Sequence, residues 1–217
     1  MRSRVTSTFL VLALSSVLLG ASWGCAGGST EADGPDQMHG NAALPSGETT
    51  EDVSAYQEVP MYVSDVKVSG NEVAVITTPK GVIKLKFFPD VAPNHVASFI
   101  ELSDAGFYDG TKFHRVEPGF VVQGGDPYSK TGEGPVGTGG PGYNLAAEFS
   151  DKPHVKGTLA MARSQSPDSA GSQFYICLEP APFLDGQYTV FGEVVEGMGV
   201  VESLQVGDVI ESIVIER

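Results

Sequence analysis

Arg115 stands in a short apolar run, Phe113-His114-Arg115-Val116. Gln123 stands in a second one, Gly119-Phe120-Val121-Val122-Gln123-Gly124-Gly125-Asp126. A guanidinium or a carboxamide in such a place must be paired or must line a cleft, because an unpartnered buried polar group is costly. Side chains of an extended chain alternate between faces, so Phe113 and Arg115 share one side, and so do Val121 and Gln123. If the two runs are neighbouring strands, the arginine and the glutamine meet beside aromatic rings. Spacing alone leaves two readings open. One is a cleft in which a fixed guanidinium acts on a bound polar group; the other is a buried structural Arg–Gln pair.

The commoner chemistries lack their residues. The chain has no G-x-S-x-G elbow and no H-E-x-x-H pair. Its four histidines, His39, His95, His114 and His154, are scattered, and nothing in their spacing suggests a metal site. Two cysteines, Cys25 and Cys177, make neither a disulfide framework nor a thiolate cluster. Cys177 sits in an apolar run and reads as a small core residue. The glycine- and proline-rich stretch 124–142 lacks the P-loop pattern and reads as an irregular surface loop. With 13 Lys and Arg against 27 Asp and Glu, the net charge of -14 argues against a nucleic-acid surface. No metal, no cofactor and no nucleic acid is expected.

The elements that would position these residues are mostly short strands. Residues 72–78 are β-branched, Thr78-Pro79-Lys80-Gly81 is a turn, and Ile83, Leu85 and Phe87 alternate with Lys84 and Lys86. That pattern predicts a hairpin with one dry face. Pro93 is placed to open a helix, with Val96, Phe99 and Ile100 on one side and a stop near Ala105-Gly106. Further strands are predicted over 112–116, 120–123, 158–162, 173–178, 189–195 and 209–215, and a second helix over 197–205. So many short strands imply an all-β barrel or sandwich with two helices covering open ends or a face.

The N-terminus reads differently. Arg2 and Arg4 precede an apolar run over 9–20, the pattern of a signal peptide over residues 1–24. Gly20-Ala21-Ser22-Trp23-Gly24-Cys25 resembles a bacterial lipoprotein signal, in which Cys25 is lipidated after cleavage; ordinary cleavage nearby is the alternative. Residues 26–60 hold seven acidic residues and no Lys or Arg, so 25–60 is expected to be a disordered acidic tether. The folded domain is expected over 61–217.

Four blocks together resemble the cyclophilin-type peptidyl-prolyl cis-trans isomerases. They are Phe113-His114-Arg115-Val116, residues 119–126, Gly171-Ser172-Gln173-Phe174-Tyr175-Ile176, and Phe183-Leu184-Asp185-Gly186 leading to Val190-Phe191-Gly192-Glu193-Val194. The resemblance spans about residues 70–217 and implies an all-β fold, a closed eight-stranded antiparallel barrel capped by two α-helices. It implies that Arg115 and Gln123 are the catalytic pair and that Phe120, Phe174 and Leu184 form the proline pocket. It places Gln173, Ala162 and Arg163 along the bound chain, Phe113 as a packing residue beside the site, and His114 at the cleft's border. Val121, Phe183 and Tyr188 stand where many members carry Met, Trp and His. The first change reshapes the pocket, the second implies weak cyclosporin binding, and the third keeps an aromatic ring. Arg163 stands where many members have Asn, at a place where the family uses backbone groups.

The implied function is acceleration of X-Pro rotation in exported or envelope proteins, by a monomer facing the periplasm and touching the membrane only through a lipid on Cys25. A non-catalytic module that binds proline peptides is the alternative.

Overall fold

The computed structural model describes residues 59–217. Cys25, the signal-like segment and nearly all of the acidic tether lie outside the described residues.

The predicted hairpin forms from β1 (Val73–Thr78) and β2 (Gly81–Phe87), with Thr78 opposite Gly81. Ala74, Ile76, Ile83, Leu85 and Phe87 turn inward, and Lys84 and Lys86 turn out. The Thr78 hydroxyl donates to the Gly81 carbonyl at 2.8 Å and closes the turn. Helix α1 (Pro93–Asp104) begins at its proline and has no capping side chain of its own. Glu148 takes that place from a distance, accepting the N–H groups of Asn94 at 3.0 Å and His95 at 2.9 Å. A carboxylate suits a helix N-terminus, where N–H groups are unpaired and the dipole is positive. Burial alone would raise the Glu148 pKa, but the His95 side chain and these two N–H groups outweigh it and hold the carboxyl low. The helix seats Val96, Phe99 and Ile100 in the core, and the Phe99 ring meets Phe174 edge-on at 5.4 Å.

Six more strands follow: β3 (Arg115–Glu117), β4 (Val121–Gly124), β5 (Thr158–Met161), β6 (Phe174–Cys177), β7 (Val190–Glu196) and β8 (Ser212–Glu216). They join one antiparallel sheet in the order β3-β4-β6-β5-β7-β2-β1-β8. The sheet is curled, and its two edge strands share no ladder. Chain just outside them does pair: Phe113 N–H donates to Asp208 at 2.9 Å, and Ile210 N–H to Thr111 at 2.8 Å. The expected closed barrel is therefore seen as a curled eight-stranded sheet whose edges approach through such bonds. The same bonds explain why the strand expected over 112–116 starts only at Arg115. Residues before it are engaged by the chain leading to β8.

Two short elements complete the fold. Helix α2 (Tyr128–Thr131) is a single turn inside the glycine-rich loop, and α3 (Met198–Ser203) occupies most of the second predicted helix. The loop is less irregular than its composition suggested. Asp126 is fully buried, and its carboxylate accepts the Tyr128 N–H at 2.7 Å and the Gly137 N–H across the loop. A residue with a side chain at Gly125 would also break this corner. Its φ is +84°, and a Cβ there would lie 2.4 Å from the Ser172 carbonyl oxygen.

The sheet separates two apolar clusters. The main core holds Val122, Leu159, Met161, Phe174, Ile176 and Phe191 under α1. On the outer face of the same strands lie Val121, Ala160, Tyr175, Cys177 and Val190, with Phe88, Phe120, Ala162, Leu184 and Tyr188 packed on them. Strands β5 and β6 are thus buried on both faces, which is why their sequences are apolar without alternation.

Candidate active site

The outer cluster is the floor of a depression, and strand register sets its contents. Arg115 of β3 lies opposite Gln123 of β4, and Gln123 lies opposite Tyr175 of β6. Residues directly opposite each other in a sheet point to one face, so all three turn outward together. Arg115 Nη1 donates to Gln123 Oε1 at 3.4 Å, and Nε lies 3.4 Å from Glu117 Oε1. Its guanidinium also hangs 5.7 Å from the centre of the Phe120 ring. With 45% of its side chain exposed and only long contacts, Arg115 is not a buried structural partner of Gln123. It is a rim cation with donor capacity toward the depression.

The amides fix each other's direction. Gln173 Nε2 donates to the Gly139 carbonyl at 2.9 Å, which turns Gln173 Oε1 toward Gln123. Gln123 Nε2 donates to that oxygen at 3.0 Å, which leaves Gln123 Oε1 facing Arg115. A carbonyl can only accept, so it sets the orientation of both amides and of the guanidinium beyond them.

Arg115 and Gln123 bound a cavity of about 220 Å³. Phe120, Val121, Tyr175, Leu184 and Tyr188 supply its apolar lining, and Ala162 and Arg163 its far edge. Arg163 is engaged on the protein side: it donates to the carbonyls of Gln187 at 3.0 Å, Ser164 at 2.9 Å and Gln165 at 3.1 Å. Its guanidinium lies over the Tyr188 ring at 4.6 Å. Arg163 is a wall, and Arg115 is the guanidinium left with spare donors at the cavity's lip. A second cavity of about 470 Å³ adjoins through Gln123, Ala162 and Arg163, and is walled by residues 137–142 and Gln173. It is larger and has Tyr128 and Tyr143 in its lining, but it lacks Phe120, Tyr175 and Arg115.

Eight of the expected residues line the smaller cavity: Arg115, Phe120, Val121, Gln123, Ala162, Arg163, Leu184 and Tyr188. Gln173 lines the larger one. Phe183 stands outside both, 64% exposed, with its ring 5.5 Å from that of Phe120 at the rim. Three placements are corrected. Phe174 is fully buried on the inner face of β6 and belongs to the main core, not the pocket. Phe113 is likewise a core residue, meeting Phe174 edge-on at 6.5 Å. His114 borders neither cavity, and both ring nitrogens are shielded from solvent without a hydrogen-bond partner. Tyr175 is the residue that sequence reasoning missed. Its signal was present: Gln173 faces out, and alternation turns Tyr175 out with it and Phe174 in.

The chemistry open to this arrangement is binding and polarisation rather than covalent attack. Burial pushes the Cys177 thiol up to about 12, so it stays protonated and inert. Burial also raises the Tyr175 phenol well above its ordinary value. Among the described residues no group of three His, Cys, Asp or Glu could hold a metal ion. What remains is an apolar cup with an oriented cation on its lip.

The chain is similar to known proteins over its folded part. The family model described as "Cyclophilin type peptidyl-prolyl cis-trans isomerase/CLD" matches residues 73–217. A peptidyl-prolyl cis-trans isomerase of Synechococcus elongatus is 51% identical over 142 residues, 64% of this chain and 93% of the relative. Peptidyl-prolyl cis-trans isomerase B of Bacillus subtilis is 44% identical over 136 residues, 62% of this chain and 90% of the relative. Among solved structures, a Cryptosporidium parvum cyclophilin-type isomerase crystallised in the presence of the dipeptide Ala-Pro superposes with a TM-score of 0.60 at 30% identity. That likeness covers 67% of this chain and 99% of the other.

The shielded His114 has a measurable consequence. Burial lowers its pKa below the ordinary 6.5, against the opposing pull of Asp126. The unfolded chain then binds a proton that the folded chain resists, so stability rises with pH through this range and falls as pH drops below about 6.5. Urea unfolding of the full chain from pH 7.5 to 5.5 should show that loss, and His114→Gln should flatten it. An unchanged slope in the variant would contradict the assignment. Glu148 acts in a lower window, since its depressed pKa removes stability only as pH falls below its ordinary 4.5.

Proposed function

The chain belongs to the cyclophilin-type peptidyl-prolyl cis-trans isomerases and is an isomerase, and on that premise we propose that Arg115 drives the reaction by weakening the resonance of an X-Pro amide whose proline ring is held against the Phe120–Tyr175–Leu184 floor. The barrier to peptide rotation is ~18–20 kcal/mol and comes from C–N double-bond character. X-Pro bonds therefore exchange unaided over tens to hundreds of seconds. Rotation passes through a twisted state in which the prolyl nitrogen becomes pyramidal and recovers its lone pair. A guanidinium N–H directed at that nitrogen, or at the carbonyl that swings, favours the twisted state over either planar isomer. Only that difference accelerates the step.

The division of labour follows from the side chains. The apolar floor grips the ring by burying it. Arg115 stays charged and presents donors in a fixed plane. Gln123 aims it, and Gln173 with the Gly139 carbonyl aims Gln123. Arg163 and Ala162 border the path of the chain toward the larger cavity. No proton changes hands, so neither His114 nor Cys177 has a part. The observation that carries this reading is the half-exposed Arg115 guanidinium, held by two long contacts at the lip of an apolar cup. The dipeptide of the Cryptosporidium parvum structure supports a proline-containing substrate for this chain as well.

The proposed setting is the bacterial envelope. Residues 1–24 have the order of a signal peptide, and Cys25 follows small residues as a lipidated cysteine would. A spacer of about 35 residues has a root-mean-square length of ~30–35 Å, which lets an anchored monomer search for clients near the membrane.

Two measurements test these readings. The rate constant kcat/KM for a short X-Pro peptide should fall about 10²-fold or more in Arg115→Ala, the loss typical of a transition-state donor. Arg115→Lys should restore little, because a point charge lacks the guanidinium fork. An Arg115→Ala enzyme of undiminished kcat/KM would overturn the mechanism. In membrane fractions of an expressing bacterium the chain should be retained, and Cys25→Ala should move it to the soluble fraction. Equal distribution of both would sink the anchor.

A further inference from the structure

Three side chains behind the cavity are engaged in a connection that the reaction itself does not require. His154 is fully buried between β4's neighbour β6 and the turn that precedes β7. Its Nδ1 lies 2.8 Å from Asp185 Oδ1, and its Nε2 lies 3.0 Å from the Tyr175 hydroxyl. An ionised carboxylate can only accept, so Nδ1 carries a proton toward Asp185; in the neutral ring Nε2 then accepts from the tyrosine. The tautomer is thus set from one side and the phenol direction from the other. Asp185 is ionised in this pairing, because the His154 backbone and side-chain hydrogen bonds hold its carboxyl below the ordinary range.

What the connection joins gives it a role. Tyr175 is the floor of the smaller cavity, on β6. Asp185 directly follows the 3-10 turn Pro182–Leu184, whose last residue, Leu184, also lines that cavity. His154 also holds this turn by its backbone. Its N–H donates to Asp185 Oδ1 at 2.7 Å, and its carbonyl accepts the Ala181 N–H at 2.8 Å. One residue therefore brackets the turn at both ends and fixes the ring across from it. Without this bracket the turn would be held mainly by its own short bonds, Leu184 N–H to Ala181 at 3.0 Å and Asp185 N–H to Pro182 at 3.2 Å.

We propose that Asp185, His154 and Tyr175 form a clamp that sets the width of the proline cup, with His154 and Asp185 as positioning residues for the isomerase. This deepens the preceding reading and rests on it. None of the three transfers a proton in the reaction. Their work is done before it, by holding Tyr175 and Leu184 at the separation that a prolyl ring fills. Such a clamp acts on binding of the ring rather than on the twisting step. Its loss therefore shows in KM and leaves kcat nearly intact.

A double-mutant cycle on the full chain tests it, read by NMR exchange of an X-Pro peptide and by the ring-flip rate of Tyr175. Asp185 is 39% exposed in its side chain, so its truncation leaves no buried void. Asp185→Ala and Tyr175→Phe should each raise KM by about threefold to tenfold, the scale of one lost hydrogen bond, with kcat changed less than about twofold. In the double variant the increases should not multiply, since each change breaks the same connection. Asp185→Asn keeps an acceptor oxygen and should rescue most of the effect. Asp185→Ala should also speed the Tyr175 ring flip. Increases that multiply, a fall in kcat at unchanged KM, or an unchanged flip rate would each overturn the clamp. The flip rate needs no substrate. An unaltered protein that fails to accelerate exchange would overturn the preceding mechanism, while the flip rate would still judge the clamp.

Discussion

A single rung of the sheet holds the site together. Arg115 is opposite Gln123, Gln123 opposite Tyr175, Tyr175 opposite Ala160, and Ala160 opposite Val190. Because opposite residues share a face, that rung runs from a cation through an amide to an aromatic and then an aliphatic floor. The order of side chains across the depression is the order of strands in the sheet. A slip of one residue in any of these pairings would turn its side chain to the other face. What prevents the slip is burial on both sides: Val122, Phe174 and Ile176 turn into the main core while Val121, Tyr175 and Cys177 pack outside. The inner core thus fixes the register, and the register fixes the chemistry.

The polar part of the site is ordered from the loop inward. The stretch 124–142 offers little apolar surface, yet buried Asp126 ties it down by accepting N–H groups from Tyr128 and Gly137. That places the Gly139 carbonyl where Gln173 must donate to it, and the direction passes through Gln123 to Arg115. A glycine-rich loop with no ligand-binding pattern of its own therefore has a structural part in orienting the rim cation. Gly125 belongs to the same corner. Its positive φ and the nearby Ser172 carbonyl leave no room for a side chain where β4 turns into the loop.

Much of this was legible in the sequence, and the misses share a cause. The hairpin at Thr78–Gly81 and helix α1 follow from alternation, a turn and a proline, all local signals. Arg115 and Gln123 were marked by being polar among apolar neighbours, and the structure brings them together. Strand β6 gave no such mark, because burial on both faces erases alternation from the sequence itself. Phe174 and Tyr175 are both large aromatics, and only counting outward from Gln173 separates core from cup. Phe113 sits beside a strand rather than in one, so its face was set by pairing with the chain near Asp208, which no local pattern reveals. The Asp126 anchor and the Asp185–His154–Tyr175 connection join residues distant in sequence. They needed the fold to be seen.

The central claim is that the rung from Arg115 to the Tyr175 floor receives a prolyl ring. Intermolecular NOEs between the full chain and a short X-Pro peptide test it most directly. Contacts are expected from the prolyl ring protons to Phe120, Tyr175 and Leu184, with none to Phe113 or Phe174. Contacts confined to residues 137–142, or reaching the larger cavity alone, would contradict it.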